Sequence, residues 1–261
     1  MSRNYEIIAR ALEKYDRWVL FLDYDGTLAD FTEHPDIVEP NPEVVRLLSA
    51  LLACENLTPT IVSGRRLAHL QQLIPIPDMI LAGTYGLEIQ LPGGEIFYPL
   101  KYERIRPALD ELEPLWQALI DGNGPFHLED KGWALAIHAR FIDDGTAEVI
   151  LQKALKLAKR KLDFDLFQIK TGHKFLEASP NQADKGQCIK FLIKKIPITN
   201  SAILYLGDDD KDEQAFKVVQ DYGGYAIRVC SNVINHPIED WRLESPKAAR
   251  DWLWTLANRC S

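Results

Sequence analysis

The stretch Trp18-Val19-Leu20-Phe21-Leu22-Asp23-Tyr24-Asp25-Gly26-Thr27-Leu28 joins an apolar run directly to two carboxylates. An uninterrupted apolar run suits a central strand buried on both faces of a parallel sheet. In open α/β sheets ligands collect beyond the carboxyl ends of such strands, which is where these acids sit. Residues two apart in extended chain share a side, so Asp23 and Asp25 address one ligand if strand geometry persists to the tip. Gly26 then permits a turn. Taken alone the segment also fits a plain Asp-Gly turn, and the rest of the chain decides between the two.

Two further apolar runs end the same way. Thr60-Ile61-Val62 leads into Ser63-Gly64-Arg65, and Leu67, Leu70 and Ile74 follow at near-helical spacing. Ala202 to Leu206 leads into Gly207-Asp208-Asp209-Asp210-Lys211-Asp212-Glu213, with Ala215, Phe216 and Val219 marking the inner face of a helix. Met79 to Ala82 and Tyr225 to Ile227 supply additional strands. Strands alternating with helices imply an α/β fold built on a Rossmann-like, doubly wound parallel sheet. From about Tyr102 to Pro180 the texture changes to helix, two strands, helix, two strands, with a hairpin turning near Gly132. This is the pattern of a smaller α+β cap with an open sheet face. The expected organisation is a core of residues 1–103 and 181–261 with a cap of 104–180.

Bulk properties exclude several classes. The 261 residues are 46% hydrophobic and 26% charged, and no apolar run approaches the roughly 20 residues that cross a bilayer. A formal net charge of -8 argues against a general nucleic-acid surface, which needs clustered Lys and Arg. Met1 to Arg17 is polar, without the apolar segment of a secretory signal, so a cytoplasmic location is expected. Cys54, Cys188, Cys230 and Cys260 are widely spaced, without metal-ligand spacing, and read as structural or incidental thiols.

Asp23 with Asp25, Ser63, Lys185 and the acids Asp208, Asp209 and Asp212 have roles that fit phosphoryl transfer, in which a phosphoryl group is neutralised, held and attacked in line. Magnesium prefers hard oxygen ligands, which Asp23 and Asp208 offer, while Asp209 and Asp212 bind its waters or complete the shell. Asp23 is then the nucleophile, and Asp25 the acid toward the leaving oxygen and the base for water. Ser63 and the backbone at Gly64 donate to phosphoryl oxygens. Lys185 opens a helix whose N-terminus favours anions.

This set resembles the four motifs of the haloacid dehalogenase superfamily of phosphatases: Asp23 to Leu28, Ser63, Lys185, and Gly207 to Glu213. Ser63-Gly64-Arg65, the Gly83-to-Glu88 segment, Glu129-Asp130-Lys131, His138-Ala139-Arg140, the Glu177 strand and Asp184-Lys185-Gly186 are similar to trehalose-6-phosphate phosphatases. The resemblance covers Leu20 to Phe216 in order, and beyond Val229 nothing matches. It implies a Rossmann-like core with an inserted cap and magnesium-dependent release of phosphate from trehalose 6-phosphate through an aspartyl-phosphate. It also implies a functional link to a trehalose-6-phosphate synthase. It places Asp23, Asp25, Asp208, Asp209 and Asp212 at the metal, and Thr27, Ser63, Gly64 and Lys185 at the phosphate. Arg65, Glu129, Lys131, His138, Arg140, His173 and Glu177 are implied on the sugar.

Two positions depart from that pattern: Tyr85 stands where many relatives have His, and His173 where they have Lys, with Lys174 one place later. Strand alternation keeps His173 on the face of Glu177 and turns Lys174 away. The alternative substrates are glucosyl- or mannosyl-3-phosphoglycerate and sucrose 6-phosphate. A phospho-accepting receiver module has no use for Asp25 or for a cap, and a silent sensor would have no use for the complete acid set.

Overall fold

The computed structural model describes Ile8 and residues 10–30, 39–231 and 238–259. The chain forms two compact units, Met1–Phe97 with Asp184–Ser261, and Tyr98–Ala183. The second unit begins and ends a few residues outside the span 104–180 read from sequence. Side-chain contacts account for this: Tyr98 stacks on Trp133, and Gln168 and Lys170 both donate to the Ala183 carbonyl.

The first unit opens with β1 (Arg17–Leu22), α1 (Pro42–Leu52), β2 (Leu57–Val62), α2 (Leu67–Leu73), β3 (Ile80–Gly83), β4 (Glu88–Gln90) and β5 (Ile96–Phe97). The second unit contributes α3 (Tyr102–Ile120), β6 (His127–Asp130), β7 (Leu135–His138), α4 (Asp144–Lys161), β8 (Phe167–Gly172) and β9 (Phe175–Pro180). The chain then returns through α5 (Lys185–Ile193), β10 (Ser201–Gly207), α6 (Glu213–Asp221), β11 (Tyr225–Val229), β12 (Trp241–Leu243) and α7 (Pro246–Ala257).

The eight strands of the first unit run in the order β12-β11-β10-β1-β2-β3-β4-β5, parallel as far as β3, with β4 and β5 added antiparallel. Alternation along β1 divides its side chains between two cores. Trp18, Leu20 and Leu22 pack with Leu204, Leu206, Ile61 and the apolar faces of α1 and α7. Val19 and Phe21 pack with Ile203, Tyr205, Val62 and the faces of α5 and α6. A strand buried on both sides must be apolar throughout, which is why β1 reads as an unbroken run. Deleting such a side chain, as in Leu20→Ala, is expected to cost about 2–5 kcal/mol in chemical denaturation.

The register β10–β1–β2 aligns Leu206, Leu22 and Ile61, so the residues that follow each strand emerge along one edge. Asp208, Asp23 and Ser63 lie on that edge. In the second unit the sheet order is β6-β7-β9-β8, all antiparallel. Trp116 of α3 donates through Nε1 to the Ala154 carbonyl of α4, tying the two helices together. Cys54 and Cys188 are buried and Cys230 is half-buried, no disulfide joins them among the described residues, and Cys260 lies outside those residues. Among the described residues no helix is long and apolar enough to cross a membrane.

Candidate active site

Asp23 is the first residue beyond β1, and its backbone N–H still continues the ladder to the Leu206 carbonyl at 2.9 Å. Strand geometry ends there. Leu28 and Ala29 both donate to the Tyr24 carbonyl, Gly26 donates to Ala29, and Gly26 takes a positive φ of 77°. Only glycine adopts that conformation without strain. The compact turn sends the two motif acids to different partners. Asp23 pairs with Lys185 at 2.7 Å, whereas both oxygens of Asp25 are held by Arg65, each at 2.7 Å. The shared direction expected from alternation therefore does not extend to Asp25.

Lys185 is the first residue of α5, whose N-cap Asp184 accepts from Gln187 N–H. Its Nζ lies 2.7 Å from Asp23 Oδ1 and 2.6 Å from Asp212 Oδ1, and the residue is only 4% exposed. Asp212 folds back to reach it. A Cβ at Gly207 would stand 2.4 Å from Asp212 Cγ, so only glycine leaves that space open. Asp212 Oδ1 also accepts from the Tyr205 hydroxyl at 2.6 Å, and Oδ2 accepts from the N–H groups of Asp208 and Asp209. Asp212 thus spends both oxygens on anchoring Lys185 and shaping the acid loop.

Asp23, Asp208 and Asp212 present carboxylate oxygens within 4.8 Å of one another. Three acids face one ammonium here. Burial pushes the Asp23 carboxyl well up despite Lys185, with Asp212 and Asp208 adding to the rise. Burial and the neighbouring Asp209 and Asp212 push Asp208 up to about 7. Asp212 is the exception: burial raises it, but the charge and hydrogen bond of Lys185 win and hold it low. Burial opposes charge on Lys185, yet Asp212 and Asp23 outweigh it and hold the ammonium strongly protonated. A site with surplus negative charge and hard oxygen donors fits a divalent cation. Thr27 donates to Asp208 Oδ1 at 3.3 Å.

Asp25 and Asp209 stand outside that carboxylate group. Asp209 is an N-cap whose carboxylate accepts from Lys211 N–H. Ser63 lies just past β2, 1% exposed, and its Oγ accepts from Arg65 N–H at 3.1 Å, which leaves the hydroxyl proton to donate. Gly64 follows with no room for a side chain: a Cβ there would meet Tyr85 ring atoms at 2.8–2.9 Å. Tyr85 (φ 56°) and Thr84 (φ 46°) are held left-handed while their N–H groups donate to Ser63 and Arg65 carbonyls. Gly64→Ala is expected to cost about 1–3 kcal/mol in thermal or chemical unfolding. In a Tyr85→Ala background that cost should shrink by about 1 kcal/mol or more, and an equal cost in both backgrounds would contradict the contact.

In the cap, Glu129, Lys131, Glu177 and His138 come together. Lys131 Nζ is 2.8 Å from Glu177 Oε2 and 3.7 Å from Glu129, and Glu129 contacts His138 Nε2 at 2.9 Å. Burial pushes Glu129 up, but the hydrogen bond to His138 and the Lys131 charge prevail and hold it at about 2. Arg140 lies beyond β7 and is exposed. His173 and Lys174 form the turn between β8 and β9, with Lys174 at φ 55°, so strand alternation does not reach them. His173 lines a cleft of about 330 Å³ with Asp144, Glu148 and Leu151 of α4, apart from Glu177. Lys174 is paired with Asp144 at 2.9 Å.

Three site-shaping residues escaped the sequence reading. Tyr205 sits inside an apolar strand run and was indistinguishable from core. Arg228 Nη1 donates to the Asp209 carbonyl, and Arg250 Nη1 donates to the Leu28 carbonyl at 2.8 Å. Both arginines are almost fully buried. A charged residue inside β11 and on the apolar face of α7 was the available signal.

The family model described as Trehalose-phosphatase matches residues 21–247, beyond the Val229 limit of the motif reading. A Sinorhizobium fredii protein named "Probable trehalose-phosphate phosphatase" is 30% identical over 82% of this chain and 78% of its own length. Trehalose 6-phosphate phosphatase RA3 of Zea mays is 27% identical over 95% of this chain and 72% of its own length. The solved C-terminal domain of C. albicans trehalose-6-phosphate phosphatase superposes with a TM-score of 0.85 at 21% identity, covering 100% of this chain and 99% of that one. With the acid-lined strand edge and the inserted α+β unit, these matches establish that the chain belongs to the trehalose-phosphatase family and is a phosphoric monoester hydrolase.

Proposed function

We propose that the chain hydrolyses trehalose 6-phosphate to trehalose and inorganic phosphate through a phosphoryl group carried on Asp23. The observation that carries this reading is the buried group of Asp23, Lys185, Asp208 and Asp212 in a chain of this family. Magnesium, held by Asp23 and Asp208, would screen the phosphoryl oxygens and so lower the repulsion that an anionic nucleophile meets.

Asp23 Oδ attacks phosphorus, and the bond to the sugar oxygen breaks as that oxygen takes a proton from Asp25. Water, losing its proton to Asp25, then attacks the aspartyl-phosphate and releases phosphate. Arg65 orients Asp25 for both transfers through its two-point contact. Lys185 and the Ser63 hydroxyl hold the phosphoryl oxygens, and the Gly64 backbone passes close beside them. Thr27 sets the Asp208 carboxylate. In the cap, Glu129, Lys131 and Glu177 offer the mixture of acceptors and donors that sugar hydroxyls require, with His138 fixing Glu129. A trehalose-6-phosphate synthase would supply the substrate.

The test is phosphate release with magnesium from trehalose 6-phosphate, sucrose 6-phosphate, glucose 6-phosphate, and glucosyl- and mannosyl-3-phosphoglycerate. Preference for trehalose 6-phosphate supports the reading, and preference for another of these reassigns the cap. Exhaustive chelation is expected to stop turnover and added magnesium to restore it; full activity without metal would contradict the carboxylate assignment.

A further inference from the structure

One face of the cap sheet has a floor and two walls, with Ala134, Ala136, Glu177 and Ser179 fully buried. In the β7–β9 register Ala136 lies beside Glu177, and in the β6–β7 register it lies beside Glu129. Continuing by one step, Lys131 N–H donates to the Ala134 carbonyl, and Ala134 falls beside Ser179. Alternation puts Ala134 and Ala136 on one face of β7, and Glu177 and Ser179 on the same face of β9. Two small side chains therefore line the middle strand. Glu129 and Lys131 stand on one side and Glu177 and Ser179 on the other, with β6 and β9 about 9.6 Å apart at normal strand spacing.

Two polar atoms of this trough lack a partner. Glu177 Oε1 and Ser179 Oγ are buried without a hydrogen bond, although both residues are 0% exposed. Glu177 Oε2 is already occupied by Lys131. Buried polar groups are nearly always satisfied, so a matched pair of exceptions two residues apart calls for a partner the chain does not supply. One atom is an acceptor and the other both donor and acceptor, which is the complement of a hydroxyl-bearing ligand.

We propose that Ser179 is a specificity-determining residue that hydrogen-bonds a sugar hydroxyl of the substrate, sharing the trough with Glu177. This rests on the sugar-phosphate reading above. The test compares the full-length chain and its Ser179→Ala variant, with magnesium, on trehalose 6-phosphate and on p-nitrophenyl phosphate, together with thermal unfolding of both. The ratio of kcat/KM for the disaccharide phosphate to that for the aryl phosphate is expected to fall about five- to tenfold in Ser179→Ala, chiefly through KM for the disaccharide. Because the hydroxyl has no partner in the fold, Tm should stay level or rise. If the unsubstituted chain turns over trehalose 6-phosphate and the ratio is unchanged in Ser179→Ala, the assignment of Ser179 is overturned while the function stands. If the unsubstituted chain releases phosphate only from the aryl ester, the function itself fails and this inference with it.

Discussion

Asp23→Asn is expected to lower kcat by about 10⁴-fold or more while leaving substrate binding and the fold in place. The asparagine side chain has nearly the same shape, and its amide oxygen can still accept from Lys185, which sits 2.7 Å from the native carboxylate. What is lost is the anionic oxygen that forms the bond to phosphorus. The substitution also removes one of the three carboxylates crowded within 4.8 Å, so the folded protein should be at least as stable without metal. Steady-state kinetics with a substrate-binding measurement decides the matter. A residual rate within tenfold of the unsubstituted enzyme would remove Asp23 from the chemistry.

Lys185→Met is expected to damage both function and stability. Lys185 is buried between Asp23 and Asp212, and its loss leaves two enclosed carboxylates without their counter-charge. Breaking a buried ion pair on one side costs about 3–5 kcal/mol, which lowers Tm by roughly 6–20 °C for a chain of this size. Turnover should fall by about 10²–10³-fold, the usual consequence of removing a donor aimed at developing charge. The pH dependence has a definite sign. In the native protein Asp212 is held low, so its contribution is present above the unfolded carboxyl range and is lost as pH falls through the lower folded value. In the variant the same carboxyls are raised by burial, the folded state takes up protons first, and the protein gains stability as pH falls. The gap in Tm between the two should narrow in acid, and a widening gap would contradict the ion-pair account.

Much of this site is legible in the sequence because catalytic residues sit where periodic patterns stop. Val19 and Phe21 announce a buried strand, and the first residue after Leu22 is the candidate nucleophile. The same logic finds Ser63 after Val62 and Asp208 after Gly207. What the pattern does not carry is the direction taken after a strand ends. Asp25 follows Asp23 by the interval that would share a face, but the turn at Gly26 delivers it to Arg65 instead. His173 and Lys174 raise the same difficulty, since alternation has no meaning in a two-residue turn. Long-range supports are hidden for another reason. Arg250 reaches the Leu28 carbonyl across 222 positions of sequence, and nothing local in α7 names that partner. Tyr205 is read as apolar because its ring is packed with Phe216, while its hydroxyl alone serves Asp212.

The most direct test is to trap the phosphorylated protein. Acid-quenching the enzyme during turnover of trehalose 6-phosphate with magnesium, followed by peptide mapping by mass spectrometry, should place one phosphoryl group on the peptide that contains Asp23, and none on the Asp23→Asn variant. A turning-over enzyme whose Asp23 peptide never carries phosphate, or an Asp23→Asn variant labelled to the same extent, would contradict the mechanism at its first step.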